Sequence, residues 1–574
     1  MHGAALRELF SFSGQPEDLR QALHVLTAPL GSSSVLPGEE RRLLLEFLRT
    51  CVVLHMVEPR ENVPETALEF VGRRGLAAGD EAFVALPLAR IHLARHRTTG
   101  SPGSLDRAQD LAERFDAPQE SRSDLAEQQA VLASVSLARF RMYGEPNLLL
   151  DTLVRSGSAL SLVHREDRIR RPLLELAHAE VLRLQHSLTR DAANLEEATV
   201  LAGRAVSGLP RTAVWRQRAL LEVARCRLDG FRLNGEPSEL DQAVEAFQAA
   251  ASAATADWQR ADRHDALLQR AECLLLRYEA FGDGQALELA AAGLENAEQE
   301  LSFDDAPQDV AHAAAFASTV LALHTADSTH SGHDRDRDFD RALTLLDFAL
   351  ESAQADIRQG GAARASALLA RAALIHGMEE APSQLLHDAA RGVEQVCRDR
   401  AAPPLQRLRA AVVWGSLATR LNAGAEVMRS YEAVTELLPP VLLLPADVRD
   451  HAAPAWEKLS REAAACAIEA GMPERALEFL ELRGVLLSAW REQSHGDVDR
   501  LSEVAPSLAT ELRWLWAFLH LHPERGQPLE HRRRERPQAQ LEHLLDAVRA
   551  VPGFEDFLSP CPPGGCSWPP GRGP

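Results

Sequence analysis

The densest collection of metal-ligand side chains in the sequence is H-T-A-D-S-T-H-S-G-H-D-R-D-R-D-F-D, from His324 to Asp340. Imidazole and carboxylate are the right groups for a transition metal, and the candidate ligands are His330, His333 and Asp336. Their spacing gives neither two histidines one helical turn apart nor an acidic triad followed by the glycine of an EF-hand loop. The stretch therefore reads as a solvated loop, and no metal or cofactor is expected. Thiol chemistry fares no better. Cys273 in A-E-C-L-L-L and Cys466 in A-A-A-C-A-I lie in apolar helical runs, which raise a thiol's pKa and suppress the thiolate. No G-x-S-x-G elbow is present to hold a serine nucleophile on a sharp turn. No catalytic residue is expected, and the chain reads as a non-enzyme.

Charge narrows the partners. A net charge of -21 opposes any general affinity for nucleic acid or an anionic membrane. The one basic run, H-R-R-R-E-R from His531 to Arg536, sits among Glu524, Glu530 and Glu542 with no stacking aromatic beside it, and reads as a solvated helix start. Trp514, Trp516 and Phe518 have the spacing of a helix core. Of the 62 basic residues a single one, Lys458, is lysine, and it follows no glycine-rich loop, so a phosphate-binding P-loop is excluded. The N-terminal stretch M-H-G-A-A-L-R-E-L-F has no basic region followed by an unbroken apolar one, and prolines interrupt the apolar run near Leu437. A cytoplasmic chain with reduced thiols is expected, since Cys51, Cys226, Cys273, Cys397 and Cys466 are scattered singly.

The elements that would position any site emerge from a repeat. A small residue recurs at Ala108, Thr152, Ala198, Ala243, Ala290, Ala342 and Ala389, in steps of 44, 46, 45, 47, 52 and 47, then at Ala433 and Ala476, and backwards at Ala67 and Ala22. Eight residues before five of these anchors stands a glycine: Gly14, Gly100, Gly144, Gly235 and Gly282. Glycine closes a helix in the left-handed conformation, and the proline two residues later in four of the five is tolerated in the first turn of the next. Between these turns the apolar residues keep helical spacing, so each repeat is a helical hairpin with helices of about 18 residues, some 27 Å long. A small side chain on the second helix lets neighbouring hairpins approach closely. Because one hairpin cannot bury both faces, hairpins must stack, which predicts an all-α, TPR-like α-solenoid with a concave surface and a period of about 45 residues. The aromatic content of 5% agrees with close helix packing over a sandwich of sheets.

Four segments of the last third resemble a known family. S-Y-E-A-V-T-E-L-L-P-P (Ser430 to Pro440), R-E-A-A-A-C-A-I-E-A-G-M-P-E-R-A-L-E-F-L-E-L-R-G-V-L-L (Arg461 to Leu487) and R-L-S-E-V-A-P-S-L-A (Arg500 to Ala509) resemble the region before the peptidase in bacterial CHAT-domain proteins. A-V-R-A-V-P-G-F-E-D-F-L (Ala547 to Leu558) resembles the helix that leads into that peptidase. The resemblance implies TPR-like repeats coupled to a caspase-like peptidase related to separase, and it covers roughly Leu405 to Leu558. The chain reads L-R-G-V-L where the family usually reads G-R-G-V-L, and V-L-L-L-P (Val441 to Pro445) replaces a more polar stretch. Sixteen residues follow Leu558, too few for a sheet carrying a catalytic His and Cys, and Cys561 and Cys566 among them do not match the family nucleophile.

The expected organisation is residues 1–103 as degenerate N-terminal helical repeats, 104–495 as TPR-like repeats, 496–558 as a helical linker resembling the pre-peptidase region, and 559–574 as a disordered Pro/Gly tail. The expected function is a scaffold that binds a protein or peptide on its concave face, or a caspase-like peptidase domain in trans, with Phe554, Phe557 and Leu558 offered as interaction residues. A metal-dependent or thiol enzyme using the His/Asp insertion, and a remnant of a disrupted gene without a binding role, are the alternatives.

Overall fold

The computed structural model describes residues 2–555 and 557, apart from 31–36, 59–61, 75–77, 116–120, 190, 212, 299–305, 326–334, 356–359, 400, 401, 403, 443–452, 481–497, 499, 521–540 and 542. Among the described residues every regular element is a helix and no strand occurs, as the repeat predicts.

Backbone contacts divide the chain into two compact units, Met1–Arg277 with Asn296–Leu301, and Tyr278–Glu295 with Ser302–Pro574. Unit 1 runs through α1 (His2–Ser13), α2 (Pro16–Leu30), α3 (Pro37–Val57), α4 (Val63–Arg74), α5 (Ala78–Thr99), α6 (Pro102–Glu113), α7 (Arg122–Tyr143), α8 (Pro146–Leu162), α9 (Arg170–Thr189), α10 (Ala192–Gly208), α11 (Arg216–Asn234), α12 (Pro237–Ala253) and α13 (Arg260–Phe281), whose last turn belongs to unit 2. Unit 2 contains most of α14 (Gly284–Glu298), then α15 (Ala306–Thr325), α16 (Arg335–Ala355), α17 (Gly360–Gly377), α18 (Ser383–Arg398), α19 (Pro404–Arg420), α20 (Gly424–Leu442), α21 (Ala453–Glu469), a helix over residues 473–480, and α22 (Pro506–His520).

The small-residue register falls on every even-numbered helix from α2 to α20 and on the helix after α21. Ala22, Ala67, Ala108, Thr152, Ala198, Ala243, Ala290 and Ala342 have no solvent exposure, Ala389 and Ala476 are buried, and Ala433 is partly buried against the same core. Thr152 satisfies its hydroxyl by donating to the Leu148 carbonyl at 2.7 Å, so a polar residue fits the register without an orphaned group. The five glycines sit at φ between 66° and 71° and close their helices with an N–H donated to the carbonyl four residues back. Those carbonyls belong to Phe10, His96, Phe140, Phe231 and Tyr278, so each turn also carries a ring that the glycine and alanine registers do not announce. Four of the following helices start at Pro16, Pro102, Pro146 and Pro237, two residues past the glycine.

Within each unit, successive odd-numbered helices also touch: α3 with α5, α5 with α7, α9 with α11, α15 with α17, α17 with α19 and α19 with α21. Successive even-numbered helices make sparse contacts at most. Each unit therefore curves with its odd-numbered helices on the inner, concave side. In unit 1 the curve closes on itself. Trp258, just before α13, donates its indole N–H to the Gly14 carbonyl at 2.8 Å, and its ring lies 6.2 Å from that of Phe10. Val214, Trp215 and Trp258 pack into the apolar cluster that holds Phe10, Leu48 and Ile91, so one turn of the coil is completed between residues 14 and 258.

Candidate functional site

Most of the residues singled out by chemistry are not brought together. His330 and His333 lie outside the described residues, and Asp336 lies on α16, where nothing is described of its side chain. Among the described residues no three His, Cys, Asp or Glu side chains are grouped as metal ligands. Cys51, Cys226, Cys273 and Cys397 are buried free thiols, and Cys466 is half-buried. Burial pushes Cys51 and Cys273 up to about 12 and Cys397 up to about 11, which leaves almost no thiolate at neutral pH. The basic run from His531 to Arg536 lies outside the described residues. Trp514 is half-buried on α22 beside the core residues Leu512 and Leu515. Phe554 and Phe557 are 5% and 4% exposed, packed in the unit 2 core with Val548, Leu512 and Leu515, while Leu558 lies outside the described residues.

One pair that the sequence reading missed resembles catalytic machinery. Ser156 Oγ on α8 lies 2.8 Å from His178 Nδ1 on α9. His178 also lines a shallow groove of about 480 Å³ with Leu153, Val154, Ser158, Asn194 and Glu197. Ser156 is buried inside a regular helix whose N–H groups are spent on its own ladder, so no backbone donor is free to hold an oxyanion. Its hydroxyl also reaches the Leu153 carbonyl at 3.1 Å. The pair clips two helices of adjacent hairpins together.

What the repeat does assemble is a charged concave face in unit 1. Arg183 on α9 reaches Glu222 on α11 at 2.6 Å and Asp229 at 3.4 Å. Arg225 on α11 reaches Asp265 on α13 at 3.2 Å and lies 4.0 Å from the second carboxylate oxygen of Glu222. Glu127 on α7 lies 3.7 Å from Arg90 on α5 and 3.9 Å from Arg49 on α3. Apart from Arg225 and Glu222, which share α11, these partners are about one repeat apart in sequence or more, and each pair joins one odd-numbered helix to another. Stacking thus converts a periodic sequence into a ladder of ion pairs. The ladder is dry in its middle: the side chains of Arg183, Glu222 and Asp229 are 14%, 1% and 14% exposed.

Arg97 at the end of α5 is solvent-reachable, yet it is enclosed enough that desolvation, followed by the charges of Arg141, Arg218 and Arg90, holds its guanidinium below the usual arginine range. Glu180 alone acts the other way. Arg218 stacks its guanidinium on Trp215, 5.3 Å from the ring centre.

The same helices set a pH response. Burial, then the charges of Arg107 and Arg95, lowers His92 on α5 to about 4, and burial followed by Arg97 lowers His55 on α3. A histidine that is harder to protonate folded than unfolded costs no stability near neutrality. As pH falls below 6.5 the unfolded chain takes up protons that the fold refuses, and stability is lost progressively toward pH 4. Thermal melts between pH 7 and 4.5 should show a falling midpoint, and His92→Leu should flatten that slope.

No family model matches the chain, and no curated protein matches it. Among solved structures, a Signal Transduction ATPase with Numerous Domains with a tetratricopeptide repeat sensor, from Pyrococcus horikoshii, aligns at 11% identity over 95% of this chain and 74% of its own, with a TM-score of 0.34. Yeast Tom70 aligns at 12% identity over 81% of this chain and 96% of its own, with a TM-score of 0.24. No helix among the described residues is long and apolar enough to cross a membrane.

Proposed function

We propose that the chain is a non-catalytic helical-repeat scaffold, acting in the cytoplasm, that binds a polypeptide on the concave face of its repeats. The observation that carries this reading is the convergence on one inner surface of charged side chains from α3, α5, α7, α9, α11 and α13, drawn from residues as far apart as Arg49 and Asp265. A surface assembled from many repeats suits an extended chain better than a small substrate. The segments around Ser430–Pro440 and Arg461–Leu487, which resemble the region before a CHAT-type peptidase, make a caspase-like peptidase domain on another chain a partner of the right kind.

Photo-crosslinking side chains placed at Arg141 and Glu180 on odd-numbered helices, and at Val200 and Gln248 on exposed even-numbered positions, test this in cells that express the protein. Polypeptide adducts should concentrate on the first pair. Equal yields on both pairs, or adducts confined to the second, would overturn the concave-face reading.

A further inference from the structure

We infer that the groove between α8 and α10 binds a small organic amine, an ammonium carried on an apolar stem. The inference goes beyond the concave-face reading and does not rest on it. α8 and α10 both pack on α9 but make sparse contacts at most with each other, so a groove of about 480 Å³ opens between them. That volume is in the range of small-molecule sites. Leu153, Val154 and Leu182 give it apolar walls, and no Lys or Arg lines it.

The polar side chains of the groove present acceptors and spend protons elsewhere. The Ser158 and Ser161 hydroxyls donate to the Val154 and Ser158 carbonyls of their own helix, each at 2.8 Å. Asn194 turns its amide nitrogen to Asp191 at 3.3 Å, which leaves its Oδ1 for a ligand. Glu197 is exposed on α10 and its carboxylate has no hydrogen bond or ion pair among the described residues. His178 on α9, 8% exposed, supplies the fixed point. Ser156 Oγ lies 2.8 Å from its Nδ1 and 3.1 Å from the Leu153 carbonyl. A hydroxyl has one proton, and giving it to the carbonyl, which can only accept, makes Nδ1 the donor and leaves Nε2 a lone pair. Burial lowers the ring's pKa and so favours this neutral form. Nε2 has no partner among the described residues, and Gly157 leaves it uncovered: a Cβ there would stand 3.7 Å away. Nothing in the packing demands that glycine, since the same Cβ would meet the ring at no less than 3.5 Å, an ordinary contact.

Acceptors around one carboxylate suit a group that is positive and only donates. An ammonium supplies three N–H donors, and its stem covers the apolar walls. An inorganic cation is served less well, since among the described residues no three His, Cys, Asp or Glu side chains are grouped as metal ligands.

The test is a ligand-detected NMR titration of the full chain with 4-phenylbutylamine, against 4-phenylbutanol and 4-phenylbutyrate. Saturable binding of the amine is expected, at least fivefold tighter than that of the alcohol or the carboxylate. Glu197→Gln should weaken it about fivefold, Gly157→Leu should abolish it, and Glu196→Gln, an exposed neighbour outside the groove, should leave it unchanged. Thermal melting separates binding from folding: Glu197→Gln and Gly157→Ala should melt at or above the unmodified chain, since neither removes a contact and alanine favours a helix over glycine. No saturable binding of the amine, equal binding of the alcohol, or amine binding that survives both Glu197→Gln and Gly157→Leu would overturn the inference. Tighter binding of the capped peptide acetyl-Ala-Ala-Lys-Ala-Ala-amide than of the amine would overturn it in favour of a lysine side chain. A small amine leaves no polypeptide adduct at Val200, so this test and the crosslinking test fail separately.

Discussion

Arg183→Met is expected to destabilise unit 1 by about 3–5 kcal/mol, because it strands a carboxylate that the fold has already taken out of water. Glu222 is 1% exposed, its Oε1 is held by Arg183 at 2.6 Å, and its Oε2 has no hydrogen bond, only Arg225 at 4.0 Å. Methionine keeps the length of the arginine stem and removes its charge, so the loss measures the unpaired ion more than lost packing. Combining Arg183→Met with Glu222→Leu should return most of the lost stability, since an apolar pair of similar volume replaces a desolvated ion pair at little net cost. Asp229 keeps Arg232 at 3.2 Å in the double variant. Urea unfolding followed by circular dichroism gives both numbers. A single variant that costs less than about 1 kcal/mol would mean that the ladder is wet and behaves as a surface pair.

Phe10→Ala is expected to cost about 3–5 kcal/mol, the range for truncating a large buried aromatic. Phe10 is 1% exposed, and its carbonyl closes α1 through the Gly14 N–H. The more telling result lies elsewhere in the chain. Because the Phe10 ring lies 6.2 Å from that of Trp258, hydrogen exchange should quicken at residues 254–260 together with residues 2–13. Faster exchange confined to α1 would show that the two ends of unit 1 do not support each other.

The architecture could be read from the sequence because it is written in backbone requirements. Glycine at Gly14, Gly100, Gly144, Gly235 and Gly282 answers a left-handed φ, and the anchors from Ala22 to Ala342 answer a helix approach that leaves no exposed surface. Both are local, periodic demands. The candidate site was not legible, since which inner side chains meet depends on how far each hairpin rotates against the last, a quantity summed over several packed interfaces and carried by no single motif. Ser156 and His178 escaped notice for a related reason: a serine inside a helix and a histidine 22 residues on carry no turn or spacing signal. The His/Asp insertion drew attention by composition alone.

The proposed binding face depends on the coiling of unit 1 onto itself, and one distance reports on it. Spin labels at Gln15→Cys and Thr255→Cys, both exposed positions flanking the Gly14 and Trp258 contact, can be read by pulsed electron paramagnetic resonance in a chain with Cys561 and Cys566 replaced by serine. A straight stack of six hairpins at about 10 Å each would separate the labels by roughly 50–60 Å. The closed coil predicts a single short distance, set by the 2.8 Å hydrogen bond and the two label arms. A distribution centred near the straight-stack value would contradict it.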